Sequence, residues 1–252
     1  NGWRLELNKL NKGWRRNFRD LLYCASGEFI YLCDQDDIWE PNKVSEMTEL
    51  MEHHPEIDVL ACDVEPFYEE GSKSVPNVGD GTNDGALALH PLDEKAVYVL
   101  RPGCAYCVRK SFLKEVEPYW DETWAHDAVL WELAQAKGSL ALYDKRLVRF
   151  RRHEGNASAR KKMTRDDRIR DVEDLIDRVA LMRRFSAESA VLTMQNRAIL
   201  DGLDSWLRCR LQFLSSRDFR SLERVISGRS HYATRKGLLV DLALSFFRKL
   251  SL

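Results

Sequence analysis

The chain has 252 residues, 44% hydrophobic and 31% charged, with a formal net charge of -1, a profile that excludes fibrous and disordered classes. The charge is uneven, because residues 160–252 hold 20 Lys and Arg against 12 Asp and Glu, a net +8, which leaves -9 for residues 1–159. No apolar run approaches the roughly 20 residues of a membrane span, and no basic segment with an apolar core opens the chain, so a cytoplasmic setting is the expectation.

Taken in chain order, Phe18, Leu21, Leu22 and Ala25 recur at spacings of three and four, which predicts a helix over Trp14 to Ser26 with Gly27 as its C-terminal cap. The run "EFIYLC" then reads as a buried strand. Pro41 suits the first turn of a second helix, whose apolar face is Val44, Met47, Leu50 and Met51. A strand "IDVLAC" follows, and residues 64–95, rich in Gly and polar side chains, predict a long loop. The apolar stretch "AVYVLRPGCAYCV", a short helix near Ser111 to Val116, a helix "WAHDAVLWELAQAKG" ending at Gly138, and two strands, "SLALYD" and "LVRFRRH", complete this part. Strands alternating with helices imply a three-layer, Rossmann-like α/β sheet. Beyond residue 160 the period turns helical, with Arg and Lys on the polar side, which makes residues 160–252 a helical C-terminal annex. The six cysteines lie scattered, several in apolar runs where a thiol packs as a small hydrophobe, and are expected to be reduced.

The informative stretch is "IYLCDQDDIW", in which Asp34, Asp36 and Asp37 follow an apolar run directly. Carboxylates so close repel one another unless a cation, hydrogen-bond donors or water compensates. They stand at the carboxyl end of a strand, where open α/β sheets bind ligands. A hard divalent cation, Mg²⁺ or Mn²⁺, held by one or two carboxylates and completed by diphosphate oxygens, fits this pattern. A dehalogenase-type phosphatase also places Asp-x-Asp after a strand, and a solvated turn capping the next helix is the plainest reading. A calcium-binding EF-hand does not fit, since its glycine is missing.

The segment "GEFIYLCDQDDIWEPNKV", preceded by "RNFRDLLYCA", resembles family 2 nucleotide-sugar glycosyltransferases of the GT-A fold, especially rhamnosyltransferase-like members. The resemblance continues in "RPGCAYCVRKSFL", "WAHDAVLWELA" and "LVRFRRHEGNAS", in the family's order, and covers roughly residues 10–160. It implies a GT-A domain over residues 1–159 and a transferase, expected to invert, that moves a sugar from a nucleoside diphosphate to a saccharide or lipid-linked acceptor in cell-surface polysaccharide synthesis. By the same resemblance Asp34 and Asp36 bind the donor, Asp36 and Asp37 hold the metal, and His153 joins it. Asp127 becomes the base that takes the acceptor's proton, Gly103 allows close approach to the sugar, and Arg152 neutralises diphosphate. Trp124 and His126 are placed at the acceptor. Relatives begin with a strand and a base-recognising segment that is not found before Asn1, so much of the nucleoside pocket is expected to be lacking.

Each assignment has a plainer counterpart. Asp127 near a helix start favours the macrodipole, Trp is ordinary core material, and Cys104-x-x-Cys107 without a second pair is better explained by packing than by redox or zinc chemistry. The basic annex reads first as a helical cover with solvated arginines, and second as a peripheral contact with the inner face of an anionic membrane. Nucleic acid is not an expected partner, since acids intersperse the basic residues. The non-enzymatic alternative is a scaffold or binding module.

Overall fold

The computed structural model describes residues 2, 4–68, 81–152, 163–189, 191 and 193–246. Its first part runs α1 (Trp14–Cys24), β1 (Phe29–Tyr31), β2 (Ile38–Trp39), α2 (Lys43–His53), β3 (Val59–Tyr68), β4 (Leu87–Leu89), β5 (Tyr106–Arg109), α3 (Lys110–Val116), α4 (His126–Lys137) and β6 (Leu140–Arg152). The second is helical: α5 (Arg165–Glu188), α6 (Met194–Ser216), α7 (Phe219–Ser227) and α8 (Lys236–Phe246). The strands form one sheet in the order β1-β5-β3-β6-β2, with β4 paired to β6. Only β3 and β6 run parallel, from Val59 beside Leu140 to Tyr68 beside Arg152, and the other pairs are antiparallel. This is an α/β fold followed by a helical region.

The centre of the sheet explains its sequence. Val59 to Val64 are all buried, as a strand covered on both faces must be, which is why apolar residues run without alternation there. Helix α4 packs on β3 and β6 and against α1 and α5, so it too is buried nearly all round. It ends as the sequence indicates: Gly138 takes φ +81°, the left-handed cap that a side chain would strain.

Three elements differ from expectation. β3 continues to Tyr68, five residues into the expected loop, because Val64–Tyr68 pair with Val148–Arg152. The two expected strands at the end of the domain are the single β6. Its polar "YDKR" is an irregularity in the ladder, where Cys62 pairs with Tyr143 but Asp63 pairs with Arg146. The displaced Asp144 accepts hydrogen bonds from Thr82 N, Thr82 Oγ1 and Asn83 N at 2.8, 2.7 and 3.1 Å, so polar character there serves a tertiary tie rather than a turn. In "AVYVLRPGCAYCV" only Tyr106 onward is strand, and Gly103–Ala105 is a short 3₁₀ turn.

In the annex α5 opens with a capping box between Thr164 and Asp167, and α7, absent from the sequence reading, is capped by Asp218. The arginines are not all a solvated face. Arg210, 1% exposed, and Arg168 both bond Asp241 of α8, as does the Tyr232 hydroxyl, at 2.6, 2.7 and 2.5 Å. Arg178 of α5 pairs with buried Glu132 of α4, and Tyr119 Oη donates to Glu188 at 2.7 Å, which ties the annex to the sheet's helices. Among the described residues no helix is long and apolar enough to cross a membrane.

Candidate active site

The acidic turn is held at both ends by the sheet. Leu32 N still donates to Tyr106 O at 3.4 Å, extending the β1–β5 pairing by a residue, and Ile38 and Trp39 pair with Arg149 and Val148 of β6. Between these anchors Asp37 Oδ1 accepts from Arg151 N at 2.9 Å, and Arg151 Nε donates to Asp36 O at 3.0 Å. Asp37 does not cap α2, whose N-cap residue is Asn42, with a side chain that donates to Glu46 and makes no capping bond to the backbone. The turn thus places Asp34 and Asp37 beside Cys104, and one ligand atom from each of the three lies within 4.8 Å of the other two. Asp36 is not one of the three.

The electrostatics are those of an incompletely compensated cluster. Burial first, then the charges of Asp37, Asp36 and Asp127, push the Asp34 carboxyl up to about 6. Burial also raises Asp37, against the bonds from Cys104 and Arg151, and its Oδ2 is buried with no hydrogen-bond partner. Burial and Asp37 hold the Cys104 thiol well above its ordinary range. Besides Arg151, a nearby cation is Lys43, fully buried, which donates to Cys104 O at 2.8 Å and lies 3.7 Å from the Trp39 ring centroid. Two carboxylates, one of them with an orphaned buried oxygen, and a thiol are a donor set that a divalent cation fits. Neither Lys43 nor Cys104 was singled out from the sequence as part of a site; the Cys-x-x-Cys spacing pointed at Cys104, but only toward packing.

The second half of the site is the start of α4. His126, 6% exposed, stacks on Phe18 at 4.1 Å between ring centroids and meets Trp14 edge-on at 6.1 Å. Burial lowers its pKa while Asp127 opposes that shift, and its Nδ1 is buried without a partner. Asp127 Oδ1 accepts from Ala128 N at 2.9 Å. A Cβ on Gly103 would stand 2.6 Å from His126 Nε2 and 3.2 Å from Asp127 Cβ. The bare backbone of Gly103 therefore lets the turn carrying Cys104 lie directly against the start of α4, bringing Asp127 to the acids of the strand end.

The remaining predicted residues sit as follows. Trp124 is half-buried and borders a groove of about 330 Å³ with Trp120, Asp121, Asp177 and Arg184. Trp131, by contrast, is fully buried beside Tyr106. Arg152 is buried with its guanidinium carbon 5.2 Å from the Phe150 ring centroid. His153 lies outside the described residues.

The mixed sheet, with its acidic turn at a strand end beside the start of α4, is an α/β fold of GT-A type. Residues 2–114 match the family described as "Glycosyl transferase family 2". S. aureus TarS 1–349, in a crystal structure with UDP-GlcNAc, aligns with a TM-score of 0.50 at 14% identity over 86% of this chain and 72% of that one, a likeness of fold. Two uncharacterized proteins, Rv1520 of Mycobacterium tuberculosis and Mb1547 of Mycobacterium bovis, are each 40% identical over 68 residues. That stretch is 27% of this chain and spans only 20% of the length of each of these relatives.

Proposed function

We propose that the chain transfers a sugar, with inversion, from a nucleoside diphosphate to a saccharide or lipid-linked acceptor on the cytoplasmic side of the membrane in cell-surface polysaccharide synthesis. Residues 1–159 serve as the catalytic domain and 160–252 as its helical annex. The observation that carries this reading is that Asp34 and Asp37 meet at Cys104 while Asp127 lies against the adjoining Gly103 and acts on Asp34, an arrangement that suits a cation-bound diphosphate on one side and a proton acceptor on the other. Asp34 faces the donor sugar, with Asp36 and Arg152 nearby on the donor side, and Asp37 holds Mg²⁺ or Mn²⁺. The bound cation stabilises negative charge on the departing diphosphate as a Lewis acid. Asp127 accepts the proton of the acceptor hydroxyl as its oxygen bonds to the anomeric carbon, while the bond to the diphosphate oxygen breaks with its electron pair. Trp124 offers the acceptor an aromatic face at the groove's mouth.

Thermal unfolding with uridine, guanosine or deoxythymidine diphosphate, each with and without Mn²⁺, tests the reading. UDP is the first choice because TarS is seen with UDP-GlcNAc. A ligand at a hundredfold excess over its Kd stabilises the folded state by about 2.7 kcal/mol, so one nucleotide should raise the midpoint only with metal. The rise should vanish in Asp36→Asn/Asp37→Asn. No metal-dependent rise with any of the three nucleotides overturns the proposal.

A further inference from the structure

We infer that Cys104 is a direct sulfur ligand of the cation at this strand end, giving the site a preference for thiophilic divalent ions over Mg²⁺. The inference rests on the reading of the strand end as a cation site and adds the identity of a third ligand. Its basis is placement. The Cys104 sulfur and one oxygen each from Asp34 and Asp37 lie within 4.8 Å of one another, close to the separation of about 4.5 Å that two ligands can have across one metal, with bonds of about 2.3 Å to sulfur and 2.2 Å to oxygen. The residue is fixed from three directions: Lys43 Nζ donates to its carbonyl at 2.8 Å, Ala105 N closes the turn onto Pro102 O at 3.0 Å, and Gly103 is pressed against α4. A cysteine this buried, 2% exposed, would ordinarily be an inert packing element, yet its sulfur is turned to two carboxylates, one with an orphaned buried oxygen.

The consequence follows from ligand softness. Mg²⁺ favours oxygen and keeps several waters, whereas a thiolate strengthens binding of Co²⁺, Zn²⁺ and Cd²⁺ far more than of Mg²⁺. Coordination displaces the thiol proton to buffer, and the partnerless Asp37 Oδ2 supplies the neighbouring oxygen ligand. The strand end then offers two hard ligands and one soft one, with remaining positions left for the diphosphate.

The test is the near-ultraviolet sulfur-to-metal charge-transfer band of the Co²⁺-loaded protein, with Cd²⁺ and Mg²⁺ affinities measured by calorimetry. The wild type should show the band, Cys33→Ser should keep it, and both Asp37→Asn and Cys104→Ser should lose it. In Cys104→Ser the Cd²⁺ affinity should fall about tenfold or more while that for Mg²⁺ changes little. Asp37→Asn leaves the core thiol in place, so a band lost there ties the thiol to the acids even where Cys104→Ser folds poorly. Metal binding with nucleotide but no band in the wild type removes Cys104 while leaving the transferase reading intact. A band lost in Cys33→Ser, or kept in Cys104→Ser, assigns the signal to another thiol and overturns the inference. No metal binding at all overturns both.

Discussion

Two aspartates, one in each half of the molecule, sit among charges and are treated in opposite ways. Asp241 in the annex is fully buried and saturated, bonded by Arg168, Arg210 and Tyr232, and its pKa is lowered: burial alone would raise it, but Arg210 and Arg168 outweigh burial. Asp37 at the strand end has one oxygen bonded and one buried without a partner, and its neighbour Asp34 is pushed up to about 6 by burial and by other carboxylates. The annex spends its arginines on completing a network, so the network belongs to the fold. The strand end leaves charge uncompensated, and such a deficit is what a bound cation would relieve.

The sharpest way to break the comparison is to delete both acids and compare stability. Asp241→Ala strands the buried Arg210 and should cost about 3–5 kcal/mol in urea unfolding. Asp37→Ala should cost less than about 1 kcal/mol, or stabilise the metal-free protein, since it removes repulsion along with its bond to Arg151 N. Equal losses would mean that the strand-end acids are structural too.

Turnover supplies the next contrast. If Asp127 is the base, Asp127→Asn should reduce kcat about 100-fold or more while the unfolding midpoint and nucleotide binding hold. Retained turnover would leave Asp127 as merely a helix-start carboxylate. Gly103→Ala comes third. The new methyl group meets His126 Nε2 at 2.6 Å and must displace a ring stacked on Phe18, at a cost of about 1–3 kcal/mol. A wild-type midpoint would show that the turn and α4 are free to separate.

How far the sequence foresaw this contrast depends on distance along the chain. The strand end was legible because Phe29 to Leu32 and the acids are contiguous, and the start of α4 because its period and Gly138 are local signals. Cys104 was not legible as a partner of Asp34, since only the pairing of β1 with β5 brings the two together. The same holds for Lys43, which lies within a helix of ordinary pattern and is buried by tertiary contact alone. β6 was split in two because a polar bulge and a polar turn have the same composition, and what separates them is Asp144 reaching Thr82 and Asn83. The annex arginines looked solvated because their acid, Asp241, sits in a leucine-rich helix far downstream.

The smallest effect is one of pH, and its sign separates the two aspartates. Asp34 is raised in the fold from 3.8 to about 6, so between those values the folded state binds more protons than the unfolded one, and stability must fall as pH rises. Two units correspond to about 3 kcal/mol at full burial, and partial exposure reduces the expected loss to about 1 kcal/mol. The lowered pKa of Asp241 acts oppositely: its contribution is present above 3.8 and is lost on acidification below it. Urea unfolding of the chelator-treated protein from pH 3 upward should therefore give stability that rises as Asp241 ionises and then declines toward pH 6. Buried Glu132, raised to about 7, contributes a decline of its own over the same range, so Asp34→Asn should shrink the decline between about pH 4 and 6 and leave the rise. Saturating metal should shrink it equally, because a cation turns the same carboxylate from a repelled charge into a ligand. A decline that neither treatment shrinks would place its source wholly elsewhere and erase the contrast between the two halves.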